Sequence, residues 1–308
     1  MFESLSKPGF PNAALGLERE GVTAIAVQRQ GKRRFGIKQA ATIRLPLGVL
    51  MPSFLERNIG DVGELTASLM EAVQNAGMGG QKRWSVALPS NTARTAILTL
   101  DAEPVAKKET AEILDWKAEQ SFGSPAAELR VLTRKISPSR DGRPRYFATA
   151  VKLSVIDEYE TVFESLGWKA GLILPRAIGE ANWLSGAGAN ADSLLISSQS
   201  DGFTALLLRG SEPYVVRSVT CAPTEIDDEV YRLLMFYNDR VKTDSGGLLE
   251  KMLLIGSDLV PERISEISTE ALGRSLQVLT SDDVGLYLPD PTFKFDEIAA
   301  AAGLAALS

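Results

Sequence analysis

The residues best placed to do chemistry cluster at two glycine-containing turns. Glu18 and Glu20 precede Gly21, and Asp201 precedes Gly202. Carboxylate oxygens hold hard cations, and the backbone N–H groups of a tight turn can cradle an anion. The three acids therefore read either as a metal site or as hydrophilic turn residues. Little else widens the chemistry. The chain contains no histidine, which removes Ser-His-Asp and Cys-His catalysis, histidine general bases and the usual zinc ligands. Cys221 is the single cysteine, so an internal disulfide and a thiolate metal cluster are excluded, and its apolar neighbours make it a small core residue.

The elements that carry these turns look like one element written twice. Residues 15–27 read LGLEREGVTAIAV and residues 194–208 read LLISSQSDGFTALLL. Each runs from an apolar strand through a polar turn into Gly-x-Thr-Ala and a second apolar strand, the pattern of a β-hairpin. A polar turn, a third strand and a capped helix follow in both cases. That shared order points to duplication.

A chain of 308 residues is long for one core, so two domains are expected. The formal charge of −6 argues against nucleic-acid binding, which leaves a basic surface. The one basic cluster, Lys32-Arg33-Arg34, reads as a solvated turn. No signal peptide is visible, and no run approaches the roughly 20 apolar residues of a membrane span. A cytoplasmic protein is expected.

Residues 1–12 read as a flexible tail. The first hairpin occupies 13–29 and a third strand 34–45, with a loop over 47–60. Asp61 and Glu64 form an N-cap pair for a helix burying Leu65, Leu69, Ala72 and Val73. A strand at 84–88 ends this block. Then come a strand at 95–100, a helix at 106–121, strands at 128–136 and 145–152, and a helix capped by Ser154, an order resembling an inserted βαββα module. A strand at 171–174 and a helix at 178–184 precede a boundary marked by Gly186 and Gly188. The second half holds a hairpin at 193–208, a strand at 213–220 and a helix capped by Thr224 with Ile226, Val230, Leu233, Leu234, Tyr237 and Val241 inward. A strand at 252–255, a helix from Pro261, a strand at 276–279 and a small-residue helix at 295–307 close it.

Two lobes opening with such hairpins resemble the actin, Hsp70 and sugar-kinase plan. The expected fold is therefore α/β, actin/Hsp70-like (ribonuclease H-like), with duplicated lobes and an inserted βαββα module in the first. Residues 13–92 and 169–190 would form the first lobe, 93–168 the module and 191–308 the second lobe. Further pieces resemble the PilM family of type IV pilus assembly: Trp116-Lys117-Ala118-Glu119-Gln120 with Phe122 and Pro125, Val86-Ala87-Leu88-Pro89, Leu166-Gly167-Trp168, Leu254-Ile255-Gly256 and Ala302-Gly303-Leu304-Ala305. The resemblance implies a cytoplasmic adaptor at the inner membrane that binds the N-terminal peptide of a PilN-like membrane protein and can self-associate.

It also implies a nucleotide site at Glu18, Glu20, Gly21, Ser197, Asp201, Gly202, Gly256 and Ser257, and there the chain departs from the family. Glu18 stands at the family's aspartate and Glu20 at its turn glycine. Ser197-Ser198-Gln199 replaces the second acidic motif, and Gly256-Ser257 replaces a glycine pair. Like charges about 5 Å apart repel by roughly 3 kcal/mol at an effective dielectric near 20, so Glu20 beside a triphosphate weakens binding. The expectation is a vestigial site: a pseudo-ATPase with no required cofactor, no catalytic residue and at most weak ATP–magnesium binding. Two alternatives carry different chemistry or context. One is an active actin-like ATPase or small-molecule kinase with Asp201 as base; the other is a cytoplasmic domain like that of type II secretion protein L. Trp116 reads as packing its helix onto the inserted sheet, or else as bordering a partner groove.

Overall fold

Three antiparallel strands lead the first compact unit: β1 (Ala13–Glu18), β2 (Gly21–Gly31) and β3 (Arg34–Arg44). The computed structural model describes residues 9–104, 106–185, 191–241, 248–290 and 292–308. Most of the expected tail, the boundary glycines Gly186 and Gly188, and the side chain of Val241 lie outside the described residues. On the far side of β1, β4 (Arg83–Leu88) and β8 (Lys169–Pro175) add in parallel. A short strand, β14 (Leu286–Tyr287), pairs with the outer edge of β3 at Phe35 and Gly36 and covers that edge at its start. The order is β14-β3-β2-β1-β4-β8.

The second unit repeats this plan. Its sheet runs β11-β10-β9-β12-β13, from β9 (Asp192–Gln199), β10 (Gly202–Arg209), β11 (Glu212–Thr220), β12 (Leu249–Ile255) and β13 (Gln277–Val278). The first three strands are antiparallel and the last two join β9 in parallel. Third, second, first, fourth, fifth is the order in both units, as duplicated lobes require. A separate antiparallel sheet in the second unit orders β5 (Arg94–Thr99), β7 (Arg145–Lys152) and β6 (Leu129–Ile136) as β5-β7-β6.

The helices follow from local signals in most places. Helix α1 (Val62–Asn75) starts where the Asp61 carboxylate accepts the Glu64 N–H at 3.0 Å, and it buries Leu65, Leu69, Ala72 and Val73. Helix α2 (Lys107–Phe122) buries Leu114, Ala118 and Phe122 at a four-residue spacing, and Gly123 ends it in the left-handed region. Glu119, the glutamate of the WKAEQ…P stretch, then accepts the Ala126 N–H at 2.8 Å.

Two caps differ from expectation. Helix α3 (Leu153–Ser165) begins one residue before Ser154, so that serine lies inside its first turn. Ahead of α5 (Ile226–Phe236), the Glu225 carboxylate accepts the Ala222 N–H at 2.9 Å, and Thr224 lies within a 3-10 turn. The longer glutamate reaches back over that turn where a threonine cannot. The expected stripe is otherwise present: Ile226, Val230, Leu233, Leu234 and Tyr237 are buried with Ile264 and Ile267 of α6 (Pro261–Leu272) in one cluster.

The two units divide the chain differently from the expected domains. The first comprises residues 1–92, 155–183 and 285–308; the second comprises 93–154 and 184–284. Most of α3 thus counts with the first unit, where the Tyr159 hydroxyl donates to Asn58 Oδ1 at 3.1 Å. Asn58 is fully buried and also receives the Thr92 hydroxyl and the Ser53 N–H, while its amide donates to the carbonyls of Ser53 and Glu56. This saturated amide pins the 47–60 loop.

The C-terminal helix α7 (Phe295–Ala305) likewise joins the first unit, packing on α4 (Arg176–Asn182), β1, β2 and β4. Trp183 donates to the Ala299 carbonyl at 2.8 Å and Asn182 to that of Gly303 at 3.0 Å. Gly179 and Gly303 let the two backbones touch: a Cβ on Gly303 would stand 1.9 Å from the Gly179 carbonyl oxygen. Gly303→Val is therefore expected to lose about 2–3 kcal/mol in urea unfolding by overpacking. Gly79→Val, with open space around it, is the neutral control.

Candidate functional site

The first turn is a two-residue loop, Arg19-Glu20, closed by the pairing of Glu18 with Gly21. Glu20 is exposed, and its carbonyl accepts the Leu45 N–H at 2.9 Å. Glu18 points elsewhere. Its Oε2 lies 3.0 Å from Nη1 of Arg176, the first residue of α4. Nε of the same guanidinium donates to Glu180 Oε1 at 2.7 Å, one helical turn along α4. The Glu180 side chain is fully buried, and its Oε2 has no hydrogen-bond partner among the described residues.

One guanidinium thus serves two carboxylates. Burial pushes the Glu18 carboxyl from its ordinary 4.5 up to about 7; Arg176 opposes that rise and the nearby Glu180 adds to it. Arg176 is held firmly protonated, since its two acidic partners outweigh the effect of burial. With both acids ionised the trio carries one uncompensated negative charge in a poorly solvated place, and a proton on Glu18 removes it. Because 37% of the Glu18 side chain still faces solvent, the energetic effect is smaller than for a dry group.

The second turn has the same form, with Ser200-Asp201 as the two-residue loop and Gln199 paired to Gly202. Gly202 sits at φ 138°, and a Cβ there would lie 1.9 Å from the Val219 carbonyl oxygen, so the residue must be glycine. Asp201 is exposed, and its carbonyl accepts the Cys221 N–H at 3.1 Å. Ser197 is fully buried, and its hydroxyl and the Gln199 side-chain oxygen have no hydrogen-bond partner among the described residues. Neighbouring Ser198 donates to Asp258 Oδ2 at 2.7 Å. Gly256 and exposed Ser257 follow the end of β12, against Ser198.

The eight site residues therefore fall into separate groups. Glu18, Glu20 and Gly21 belong to the first unit; Ser197, Asp201, Gly202, Gly256 and Ser257 belong to the second. Among the described residues no group of three or more His, Cys, Asp or Glu side chains is arranged to hold a metal ion. Sequence reasoning missed Arg176 and Glu180. Their i, i+4 spacing is the available signal, and an ordinary surface pair gives the same one. Trp116 is not among the residues that α2 buries. It is 54% exposed, with the Lys117 ammonium 5.3 Å from its ring. Cys221 is partly buried against the second unit's core, and burial pushes its thiol up.

The raised carboxyl has a pH signature. Native Glu18 holds its proton between pH 4.5 and about 7 while the unfolded chain has lost it, so this group's stabilisation falls as pH rises through that window. Glu18→Gln, which fixes the neutral form, is expected to flatten that part of the profile. Urea midpoints at the two ends of the window, with a carbon-13 titration of the Glu18 carboxyl, check it.

No protein-family model matches the sequence, and no curated protein matches it. Among solved structures, a chain of a PilM–PilN type IV pilus biogenesis complex is similar over 98% of this chain and 99% of its own, at 17% identity and a TM-score of 0.76. A Bacteroides thetaiotaomicron protein with an actin-like ATPase fold aligns at 14% identity, 93% of each chain and a TM-score of 0.47. The cytoplasmic domain of EpsL, an inner membrane component of the Vibrio cholerae type II secretion system, aligns at 9% identity over 86% of this chain and 96% of its own, with a TM-score of 0.47. The first of these likenesses shows that the chain has the fold found in the PilM–PilN complex: an α/β, actin-like fold with duplicated lobes.

Proposed function

We propose that this chain is an actin-like scaffold of an inner-membrane pilus or secretion platform, docking a short peptide from a membrane partner and turning over no nucleotide. The fold supports the reading, since it matches a chain of a PilM–PilN complex along nearly its whole length. No helix of the described residues is long and apolar enough to cross a membrane. The N-terminal peptide of a PilN-like protein is the proposed partner. The protein would act in the cytoplasm, held at the inner membrane through that partner.

The observation that carries the nucleotide half of the reading is the Arg176 guanidinium on Glu18. In the actin-like plan the carboxylate ending the first strand faces a hydrated cation. Here a protein cation already occupies the acid, Glu20 brings a further negative charge to the loop, and Gln199, paired to Gly202 as Glu18 is to Gly21, offers no carboxylate in the repeat. These residues do not fit a magnesium–nucleotide complex, so no catalytic step is assigned to them.

For the peptide half, exposed Trp116 is the first contact to test, since large aromatics dominate binding energy at interfaces. Titration calorimetry with a synthetic PilN-like N-terminal peptide is expected to give saturable binding. Trp116→Ala should weaken it about tenfold, or about 1.4 kcal/mol, without changing the melting temperature. A chain that gives no heat with such a peptide contradicts the scaffold reading.

A further inference from the structure

The second unit holds a guanidinium whose charge the surrounding protein does not answer. Arg145, at the start of β7, is 8% exposed. Its Nη2 donates to the Tyr214 carbonyl at 2.8 Å, and its guanidinium lies 4.7 Å from the Tyr214 ring centroid. Both partners are neutral, and among the described residues no carboxylate bonds or pairs with it. The acids nearby are committed elsewhere. Buried Asp192 pairs with Arg209 at 3.2 Å, and Asp141 accepts the Ser139 hydroxyl and Arg143 Nε, both at 2.5 Å. Glu212 accepts the Ser137 N–H at 3.0 Å and acts on Arg145 only from a distance.

The free side of Arg145 opens on a cavity of about 510 Å³. Nε and Nη1 have no acceptor among the described residues, yet neither is among the fully enclosed atoms that lack a partner, so both face the open side. Thr99 stands directly opposite Arg145 across the β5–β7 pair, which puts the two side chains on one face of the sheet. Both line the cavity with the Tyr214 side chain, and the Thr99 hydroxyl bonds to no other described residue. We infer that this cavity binds the carboxylate of a small organic acid, with Arg145 as its cationic partner and the Thr99 hydroxyl as a second donor.

A buried cation without an anion is costly, and a bound anion offsets that cost. Burial works against the Arg145 charge more than any neighbouring group supports it. Arg143 is already met by Asp141, and Arg140, which also borders the cavity, is itself engaged within the protein. The charge to be met is therefore the single one of Arg145, and a single carboxylate meets it. The guanidinium fork matches the two oxygens of a carboxylate in plane, and a hydroxyl beside it can donate to either. The volume falls in the range of small-molecule sites.

Titration of the full nitrogen-15-labelled chain with propionate and with benzoate, at constant ionic strength, tests this through the Arg145 Nε–H resonance. A saturable shift with Kd near or below about 1 mM is expected from at least one of the two acids, and none from uncharged benzamide. Thr99→Val, which removes only the hydroxyl, should weaken binding severalfold, and Arg145→Lys, which keeps the charge and loses the fork, about tenfold. In these variants binding is read from the rise in melting temperature that a ligand of the native state produces, and the melting curve itself shows that each is folded. No saturable shift from either acid, equal binding of benzamide, or undiminished binding by both folded variants overturns the assignment. Tighter binding of inorganic phosphate also overturns it, since that assigns a higher charge than Arg145 supplies. So does binding of acetyl-glutamate amide alone, which moves the carboxylate to the side chain of a peptide partner.

Discussion

One guanidinium between two acids organises the end of the first hairpin. Arg176 follows β8, opens α4 and meets both Glu18 and Glu180, so two segments distant in sequence, the end of β1 and the start of α4, are tied by one side chain. The geometry is one-sided, since Glu180 spends one oxygen on Arg176 and has no hydrogen-bond partner for the other among the described residues. Removing the arginine would leave two partly or fully buried acids facing each other, an arrangement usually costing several kcal/mol. The trio therefore behaves as a structural closure. A carboxylate drawn into such a closure is poorly placed to hold a diffusible cation, and our functional reading rests on that.

The repeat gives a second measure of the same change. Both sheets keep the order of the duplicated fold, and both keep a two-residue loop between their first two strands. What differs is the chemistry of the strand end: a neutralised glutamate in one unit, a buried serine and an amide in the other. On the proposed reading, the two turns keep the backbone form of a nucleotide site while their charged groups are engaged within the protein. The hydrophobic register across each sheet depends on the hairpins and not on a bound ligand.

Much of this was legible in the residues. The Asp61–Glu64 cap, the four-residue stripe on α1 and the paired Gly21 and Gly202 hairpins are local signals, and the structure places them where their patterns point. The small-residue helix at the C-terminus was legible as a close-packing surface, but small residues do not name their partner; α7 lies against α4 in the first unit, not in the second lobe. Arg176 and Glu180 were not legible as a site because their meaning depends on Glu18, which reaches them only through tertiary structure. The two readings of Trp116 were not separable in the residues, and α2 buries Leu114, Ala118 and Phe122 while Trp116 stays 54% exposed. Caps failed where a longer side chain could outreach the expected one, as Glu225 does ahead of α5.

The most direct test of the central claim is equilibrium binding of ATP to the full chain with and without magnesium. The closure of Glu18 by Arg176 predicts weak association that magnesium does not strengthen. Micromolar, magnesium-dependent affinity that disappears in Glu18→Ala would contradict it.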